Sequence, residues 1–154
     1  MPKIMFFNQN ALIEGEYNGN LYRVKFVDGI KDTFDALRQR GMKLALIGND
    51  KNLAVKMQEE FKFDFIIGNN FVSRDSDLSE LAGKDKDVIV RELCRKLGIG
   101  FGEAVFLGSE SDDLKAMLAC GLNISFNSKY LEVDTESDVV IKRGDLRQIL
   151  SRIK

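Results

Sequence analysis

Short apolar runs alternate along the chain with longer segments in which apolar residues are more widely spaced. The first run, Ile4 to Phe7, is too short for a helix and ends on Asn8, Gln9 and Asn10. Comparable runs occur at 43–47, 63–67, 104–107, 122–126 and 138–141. Each fits a strand that is buried on both faces of a parallel sheet. The ligand crevice of such a sheet lies outside the carboxyl ends of its strands, so we expect Asn8 and Asn10 there.

Between these runs, apolar residues recur with the spacing of one helix face. Ile30, Phe34 and Leu37 form such a stripe, in a helix expected to run from about Gly29 to Arg40. The same spacing predicts further helices from Asp50, over 86–97, from Leu114 and around 146–153. Strands that alternate with amphipathic helices are typical of an α/β fold with a doubly wound, mostly parallel sheet. A length of 154 residues predicts a single domain, 1–154.

The segment of about residues 11–27, directly after the first strand, has the pattern of a β-hairpin. Apolar residues flank the pair Asn18 and Gly19, and Asn-Gly favours a tight turn because both positions tolerate positive φ. We therefore predict a hairpin flap beside the crevice. Its apolar and aromatic residues would form an exposed patch on a monomer, so a homo-oligomer through the hairpin is expected.

Composition removes several classes of function. The chain has 23 basic and 24 acidic residues, a net charge of −1, and no basic face that would bind nucleic acid or an anionic membrane. The apolar block near the amino terminus is far too short for a signal sequence or a membrane span, so a cytoplasmic location is expected. Histidine is absent, which excludes imidazole from catalysis. Cys94 and Cys120 lack Cys-x-x-Cys spacing and are predicted to be reduced, buried thiols.

Four landmarks occur in a recognisable order. They are Asn8-Gln9-Asn10 after the first strand, Gly48 after the second, Lys86 at a helix start, and Gly-Ser-Glu-Ser-Asp-Asp at 108–113. In order and spacing the chain resembles the haloacid dehalogenase-like phosphatases. These carry Asp-x-Asp, then Ser or Thr, then Lys, then Gly-Asp-Gly-x-Asn-Asp. The pattern is most similar to archaeal phosphoserine phosphatases, and the short intervals between landmarks resemble the capless branch of the family.

The resemblance implies a role for each matched position. In the family, the first Asp attacks phosphorus and the second transfers the proton, while Ser or Thr and Lys hold the phosphoryl group. Mg²⁺ is held by the first Asp, the backbone of the second and an Asp of the last motif. The matched positions are Asn8 (nucleophile), Asn10 (acid and base), Gly48 with Asn49 (phosphate), Lys86 (phosphate) and Ser109 (metal).

Most of these positions have lost the chemistry that the family needs. An amide has no proton to transfer near neutral pH, and a hydroxyl is a poor ligand for Mg²⁺. The leading hypothesis is therefore a catalytically inactive phosphatase-like protein, without a cofactor, that binds a small anion or a protein partner. Lys86 and backbone N–H groups near Gly48 would hold the anion.

Two alternatives remain open at this stage. One is a phosphomonoester hydrolase similar to phosphoserine phosphatase, in which Asp50, Asp112 or Asp113 has been recruited to bind Mg²⁺. Asp112 and Asp113 fit equally well as ordinary acidic residues behind a Ser111 helix cap. The other alternative is a response-regulator-like receiver, which shares the sheet but needs an acidic cluster and a phosphoacceptor Asp at the first strand, both absent here.

Overall fold

The computed structural model describes residues 1–73 and 76–154. Its strands form one sheet in the order β3-β2-β1-β4-β5-β6, and every pairing is parallel. The strands are β1 (Ile4–Asn8), β2 (Lys43–Ile47), β3 (Phe65–Ile67), β4 (Ala104–Gly108), β5 (Leu122–Phe126) and β6 (Val139–Ile141). The predicted doubly wound α/β fold is confirmed. Strand order reverses between β1 and β4, which places the crevice of such a sheet at the end of β1.

The helices alternate with these strands as the sequence predicts. They are α1 (Ile30–Gln39), α2 (Lys51–Phe61), α3 (Lys86–Leu97), α4 (Leu114–Ala119) and α5 (Leu131–Glu136). The sequence analysis missed α5, because Val133 is its one buried residue and no apolar stripe marks it. The predicted C-terminal helix is only a 3₁₀ turn, Leu146–Ile149. Among the described residues, no helix is both long and apolar enough to cross a membrane.

Strand β1 is buried on both faces, which fixes the position of its carboxyl end. Met5 and Phe7 pack into one apolar layer, and Ile4 and Phe6 pack into the other. The Phe7 ring lies 5.0 Å from that of Phe34, centroid to centroid. Each such buried side chain stabilises the fold by about 1.5–3 kcal/mol relative to an exposed one. Asn8, the last residue of this strand, is therefore held in a fixed position at the edge of the sheet.

The predicted hairpin is present only at its base. Ile13 pairs with Phe26 in a single antiparallel bridge, flanked by backbone hydrogen bonds that include Val27 N–H to the carbonyl of Leu12. Gly19 has a φ of 92°, whereas Asn18 is not among the residues with positive φ. The Asn18 side chain instead accepts the N–H of residue 20 at 3.0 Å. This local Asx turn replaces the expected two-residue turn, and residues 15–24 form a longer irregular connection.

Most apolar side chains of this flap pack against the chain's own core. Leu12, Ile13 and Val27 are buried, and the side chains of Tyr17, Leu21, Val24 and Phe26 lie against the same cluster. Tyr22 is fully exposed, at 101% of its reference area. Self-association through the hairpin stays a prediction, although the apolar patch that motivated it is largely covered within the chain.

Both cysteines are free thiols, and Cys94 is buried while Cys120 is partly buried. Burial raises the pKa of the Cys94 thiol to about 11. Burial, with a smaller effect of the Cys94 charge, raises the pKa of Cys120 to about 12. A thiol of such high pKa is protonated at neutral pH, and thiolate is the reactive form. Disulfide and thiolate chemistry is therefore not favoured at either position.

The thiol pKa values predict a loss of stability in alkali. In the unfolded chain these thiols ionise above their ordinary pKa of 9.0, whereas in the folded chain they stay neutral until about pH 11 to 12. Their contribution to stability is thus complete below pH 9 and is lost as pH rises through the folded values. We expect the free energy of unfolding to fall by up to about 1.4 kcal/mol per thiol and pH unit in this window. Urea unfolding at pH 8 and above measures this fall, and Cys94→Ala with Cys120→Ala should reduce it.

Candidate ligand site at the strand ends

At the end of β1, the Asn8 side chain is oriented so that its amide nitrogen donates hydrogen bonds toward β4. Its Oδ1 accepts the N–H of Asn10 at 2.9 Å and so caps the short 3₁₀ helix Gln9–Leu12 that follows the strand. Its Nδ2 then points toward the neighbouring strand end at β4. Asn8 is 2% exposed, so this orientation is held inside the protein.

Two carboxylates accept hydrogen bonds from the side-chain amides of Asn8 and Asn10. Asn8 Nδ2 donates to Asp113 Oδ2 at 2.6 Å and to Glu110 Oε1 at 2.8 Å. Asn10 Nδ2 donates to the same Glu110 oxygen at 3.0 Å. Glu110 was missed by the sequence analysis, although its occurrence where the resembled motif has glycine was a usable signal.

Asp113 is the centre of the cluster and is completely buried. Its Oδ2 also accepts the backbone N–H groups of Ser109 and Glu110, at 2.9 and 3.0 Å. Its Oδ1 accepts from Lys86 Nζ at 2.6 Å. A buried carboxylate needs this kind of compensation, because its desolvation is costly unless charge and hydrogen bonds replace water.

Lys86 opens α3 and joins two aspartates to the network. Besides Asp113, its Nζ lies 3.0 Å from Oδ1 of Asp112, which is 74% exposed at its side chain. Desolvation lowers the pKa of Lys86, but the nearby charges of Asp113 and Asp112 outweigh it, so its pKa is raised above 10.5. The stabilisation from this ion pair is therefore complete below pH 10.5 and is lost only above it.

The backbone N–H groups expected to hold an anion are already engaged. Gly48 N–H donates to the carbonyl of Ile67 at 3.1 Å. The N–H groups of Asn49 and Asp50 donate to Gln9 Oε1, at 3.3 and 3.2 Å. Gln9 was not assigned a role from the sequence, yet it is completely buried between β1 and the start of α2.

The structure thus gathers the sequence-predicted residues into two neighbouring groups. The first group is held together by hydrogen bonds and ion pairs, in which Glu110 takes part. It consists of Asn8, Asn10, Lys86, Asp112 and Asp113. Ser109 joins this group through its backbone N–H, and its carbonyl accepts the hydroxyl of Ser128 at 2.7 Å. Gly48 and Asn49 form the second group, against the side chain of Gln9.

An open crevice of ≈ 1060 Å³ extends from these groups toward the hairpin flap. Acidic residues outnumber basic ones in its lining. The acidic residues are Glu14, Glu16, Asp28, Asp50, Glu110 and Asp145, and the basic ones are Lys129, Lys142 and Arg143. Two of the three cations already have partners, since Lys129 pairs with Glu16 and Lys142 pairs with Asp134. The crevice therefore offers a ligand more hydrogen-bond acceptors than cationic groups.

A comparison with known families shows to which family this chain belongs. The model of the haloacid dehalogenase-like hydrolases matches residues 12–121. The chain belongs to the haloacid dehalogenase-like family. The predicted resemblance is confirmed. The matched range covers nearly all of the flap, strands β2, β3 and β4, and helices α1 to α4, and it begins after β1.

Individual relatives within this family are phosphatases by name. The phosphoserine phosphatase of Methanocaldococcus jannaschii is 27% identical over 139 residues, which cover 86% of this chain and 65% of the relative. Phosphoserine phosphatase in its apo form has a TM-score of 0.82 at 20% identity, with all of both chains covered. A phosphatase for 3-deoxy-D-manno-octulosonate 8-phosphate from Moraxella catarrhalis, solved with magnesium, phosphate and sugar, has a TM-score of 0.70 at 21% identity. It covers 99% of this chain and 85% of its own.

The solved structures and the curated relatives support different conclusions about this chain. At 20–21% identity the solved structures show a shared fold alone. The chain also spans less than two thirds of the length of its curated relatives, at 65%, 40%, 60% and 62%. The chain is accordingly phosphatase-like in family and fold. These similarities do not show which substrate it takes or whether it turns one over.

The magnesium ion that the family implies does not fit these residues as they are arranged. Carboxylate oxygens of Glu110, Asp112 and Asp113 lie within 4.8 Å of one another, close enough for one ion. However, Lys86 Nζ and Asn8 Nδ2 donate to oxygens of the same cluster. Mg²⁺ needs oxygen lone pairs and is repelled by an ammonium group.

Proposed function

We propose that this chain is a phosphatase-like member of the haloacid dehalogenase family that binds a small ligand or a protein partner without cleaving a phosphoester. The observation that carries the proposal is the orientation of Asn8. Its Nδ2 donates to Asp113 and Glu110 at 2.6 and 2.8 Å. The family's attacking group must present an oxygen lone pair to phosphorus, whereas here two N–H bonds lie at that position.

The second family position supports the same proposal. Asn10 has no titratable proton near neutral pH and so cannot exchange protons with a leaving group. Its Nδ2 instead donates to Glu110. Loss of a nucleophile alone lowers rates by about 10⁴–10⁶ in other enzymes, and here both positions are amides.

A second candidate function is a Mg²⁺-dependent phosphomonoester hydrolase with rearranged residues. The acidic trio Glu110, Asp112 and Asp113 favours it, and so do the phosphatase names of the relatives, which taken alone support it better than ligand binding. In that case Glu110 would be the carboxylate closest to Asn10 for proton transfer. The Asn8 amide and the Lys86 ammonium would both have to leave the cluster.

Release of phosphate separates the two functions. With phosphoserine and p-nitrophenyl phosphate, with or without Mg²⁺, we expect the protein to release phosphate no faster than protein-free buffer. Uncatalysed phosphomonoester hydrolysis is extremely slow, so partial positioning of a substrate would give no visible turnover. Mg²⁺-dependent release that copurifies with the protein and disappears in both Glu110→Gln and Asp112→Asn would establish the hydrolase instead.

A further inference from the structure

Gln9 lies between the two family positions Asn8 and Asn10 and is itself completely buried. Its side chain forms hydrogen bonds with the backbone of Asn49 and Asp50, shortly after β2. Oε1 accepts the N–H groups of Asn49 and Asp50, at 3.3 and 3.2 Å, and Nε2 donates to the carbonyl of Asp50 at 2.8 Å. All hydrogen-bonding atoms of this carboxamide are thus used on the end of β2.

The oxygen of Gln9 stands where an anionic oxygen would bind. Asp50 caps α2, so the N–H groups of residues 49 and 50 lie at the amino terminus of an 11-residue helix. Such N–H groups are good donors to phosphoryl or carboxylate oxygens. Gln9 Oε1 satisfies both with a neutral acceptor from within the chain, which leaves no donor pair for a ligand.

Gly48 makes this arrangement possible. A Cβ atom on residue 48 would lie 2.6 Å from Cδ and from Oε1 of Gln9, and 2.9 Å from its Nε2. Real Cβ atoms do not approach so closely. A serine or threonine at 48 is therefore incompatible with the present position of Gln9, and the two residues form one unit.

We propose that Gln9 is a specificity-determining residue that closes the N–H pair of Asn49 and Asp50 to phosphoryl and other anionic oxygens, and that Gly48 provides the space for it. The inference deepens the proposed function, since it states which ligand class the crevice rejects, and it rests on the crevice being the ligand site. Ligands that occupy the crevice are then recognised by its acceptors and not by a phosphoryl group.

Equilibrium binding of inorganic phosphate tests this proposal without any requirement for turnover. By ³¹P NMR or calorimetry, we expect no binding to the unaltered protein and measurable binding to Gln9→Ala. The affinity of Gln9→Ala should exceed the detection limit that applies to the unaltered protein by about tenfold to a hundredfold, as charge-assisted hydrogen bonds to two freed N–H groups would give. Gln9→Glu keeps an acceptor oxygen for both N–H groups and adds a negative charge, so it should bind phosphate no better than the unaltered protein.

A matched control is available at the other end of α2. Gln58 Oε1 accepts the N–H of Phe63 at 2.8 Å, and its Nε2 donates to the carbonyl of the same residue. Gln58→Ala thus removes a comparable pair of side-chain to backbone hydrogen bonds at the other end of the helix, and it should not create phosphate binding. If Gln9→Ala fails to fold, Gln9→Ser, which keeps a shorter polar side chain, serves in its place.

The steric half of the proposal has its own test. Gly48→Ala should lower the urea midpoint of the unaltered protein, and should have a much smaller effect in the Gln9→Ala background. Equal phosphate affinity with and without Gln9, no binding to either protein, or additive effects of the two substitutions on the urea midpoint would each overturn it. Because no readout depends on turnover, failure here is distinguishable from phosphate release in the enzymatic assay.

Discussion

Replacing Asp113 by alanine is expected to lower the free energy of unfolding by about 3–5 kcal/mol, the usual cost of removing one partner from a buried ion pair. Asp113 is 0% exposed and accepts hydrogen bonds from Asn8, Lys86 and two backbone N–H groups. Its removal leaves the two backbone N–H groups without this acceptor, and Asn8 and Lys86 keep Glu110 and Asp112 as acceptors, in a site that water reaches poorly. For a chain of this size, the melting temperature should fall by roughly 10–15 °C.

Asp112→Ala is the matched control for this change. Asp112 pairs with the same Lys86 Nζ, at 3.0 Å, but its side chain is 74% exposed. An exposed ion pair contributes about 0–1 kcal/mol, because water and salt screen it. Urea unfolding followed by circular dichroism compares the two variants. Equal losses of stability from both substitutions would contradict the central place given to Asp113.

Replacing Asn8 by aspartate is expected to make stability depend on magnesium. Without metal, the substitution removes two buried hydrogen-bond donors and adds a third carboxylate beside Glu110 and Asp113. Unpaired buried acceptors and like charges together should cost about 2–4 kcal/mol, or raise the pKa of one of the carboxyl groups. The same substitution supplies the oxygen lone pairs that the present site lacks.

Added Mg²⁺ should then restore the stability of Asn8→Asp and leave the unaltered protein unchanged. At about 100 times its dissociation constant, an ion that binds only the folded state adds roughly 2.7 kcal/mol. Thermal unfolding with MgCl₂, against NaCl at equal ionic strength, measures the gain. Asn10→Asp is the control, because the Asn10 side-chain amide donates to Glu110 and not to the buried Asp113, and Asn10 is less buried than Asn8. A comparable gain in the unaltered protein would show that the acidic trio binds metal as it stands.

The fold was readable from the sequence wherever burial imposes a pattern. Strands such as β1 and β4 are buried on both faces, and their short apolar runs indicated a parallel sheet covered on both sides. Helix α5 was not readable because it buries only Val133. The turn expected at Asn18 and Gly19 was replaced by a side-chain hydrogen bond of Asn18, a competition that dipeptide statistics do not resolve.

Only some of the residues of the site could be predicted from the sequence, for a different reason. The strand-end rule and the family resemblance located Asn8, Lys86 and Asp113, which the structure joins through hydrogen bonds. They gave no indication that Glu110 and Gln9 supply the decisive partners. These contacts join residues 40 to 102 positions apart, so no local pattern encodes them. The available signal was an unexpected polar residue at each position.

The most direct measurement of the central claim is the ¹⁵N resonance of the Asn8 side-chain amide during a magnesium titration. The amide lies between Glu110 and Asp113, where a metal would bind. If the network is complete as it stands, its two N–H signals should keep their positions and their slow hydrogen exchange up to millimolar MgCl₂. Saturable movement of these signals, or rapid exchange of their protons once Mg²⁺ is present, would contradict the account.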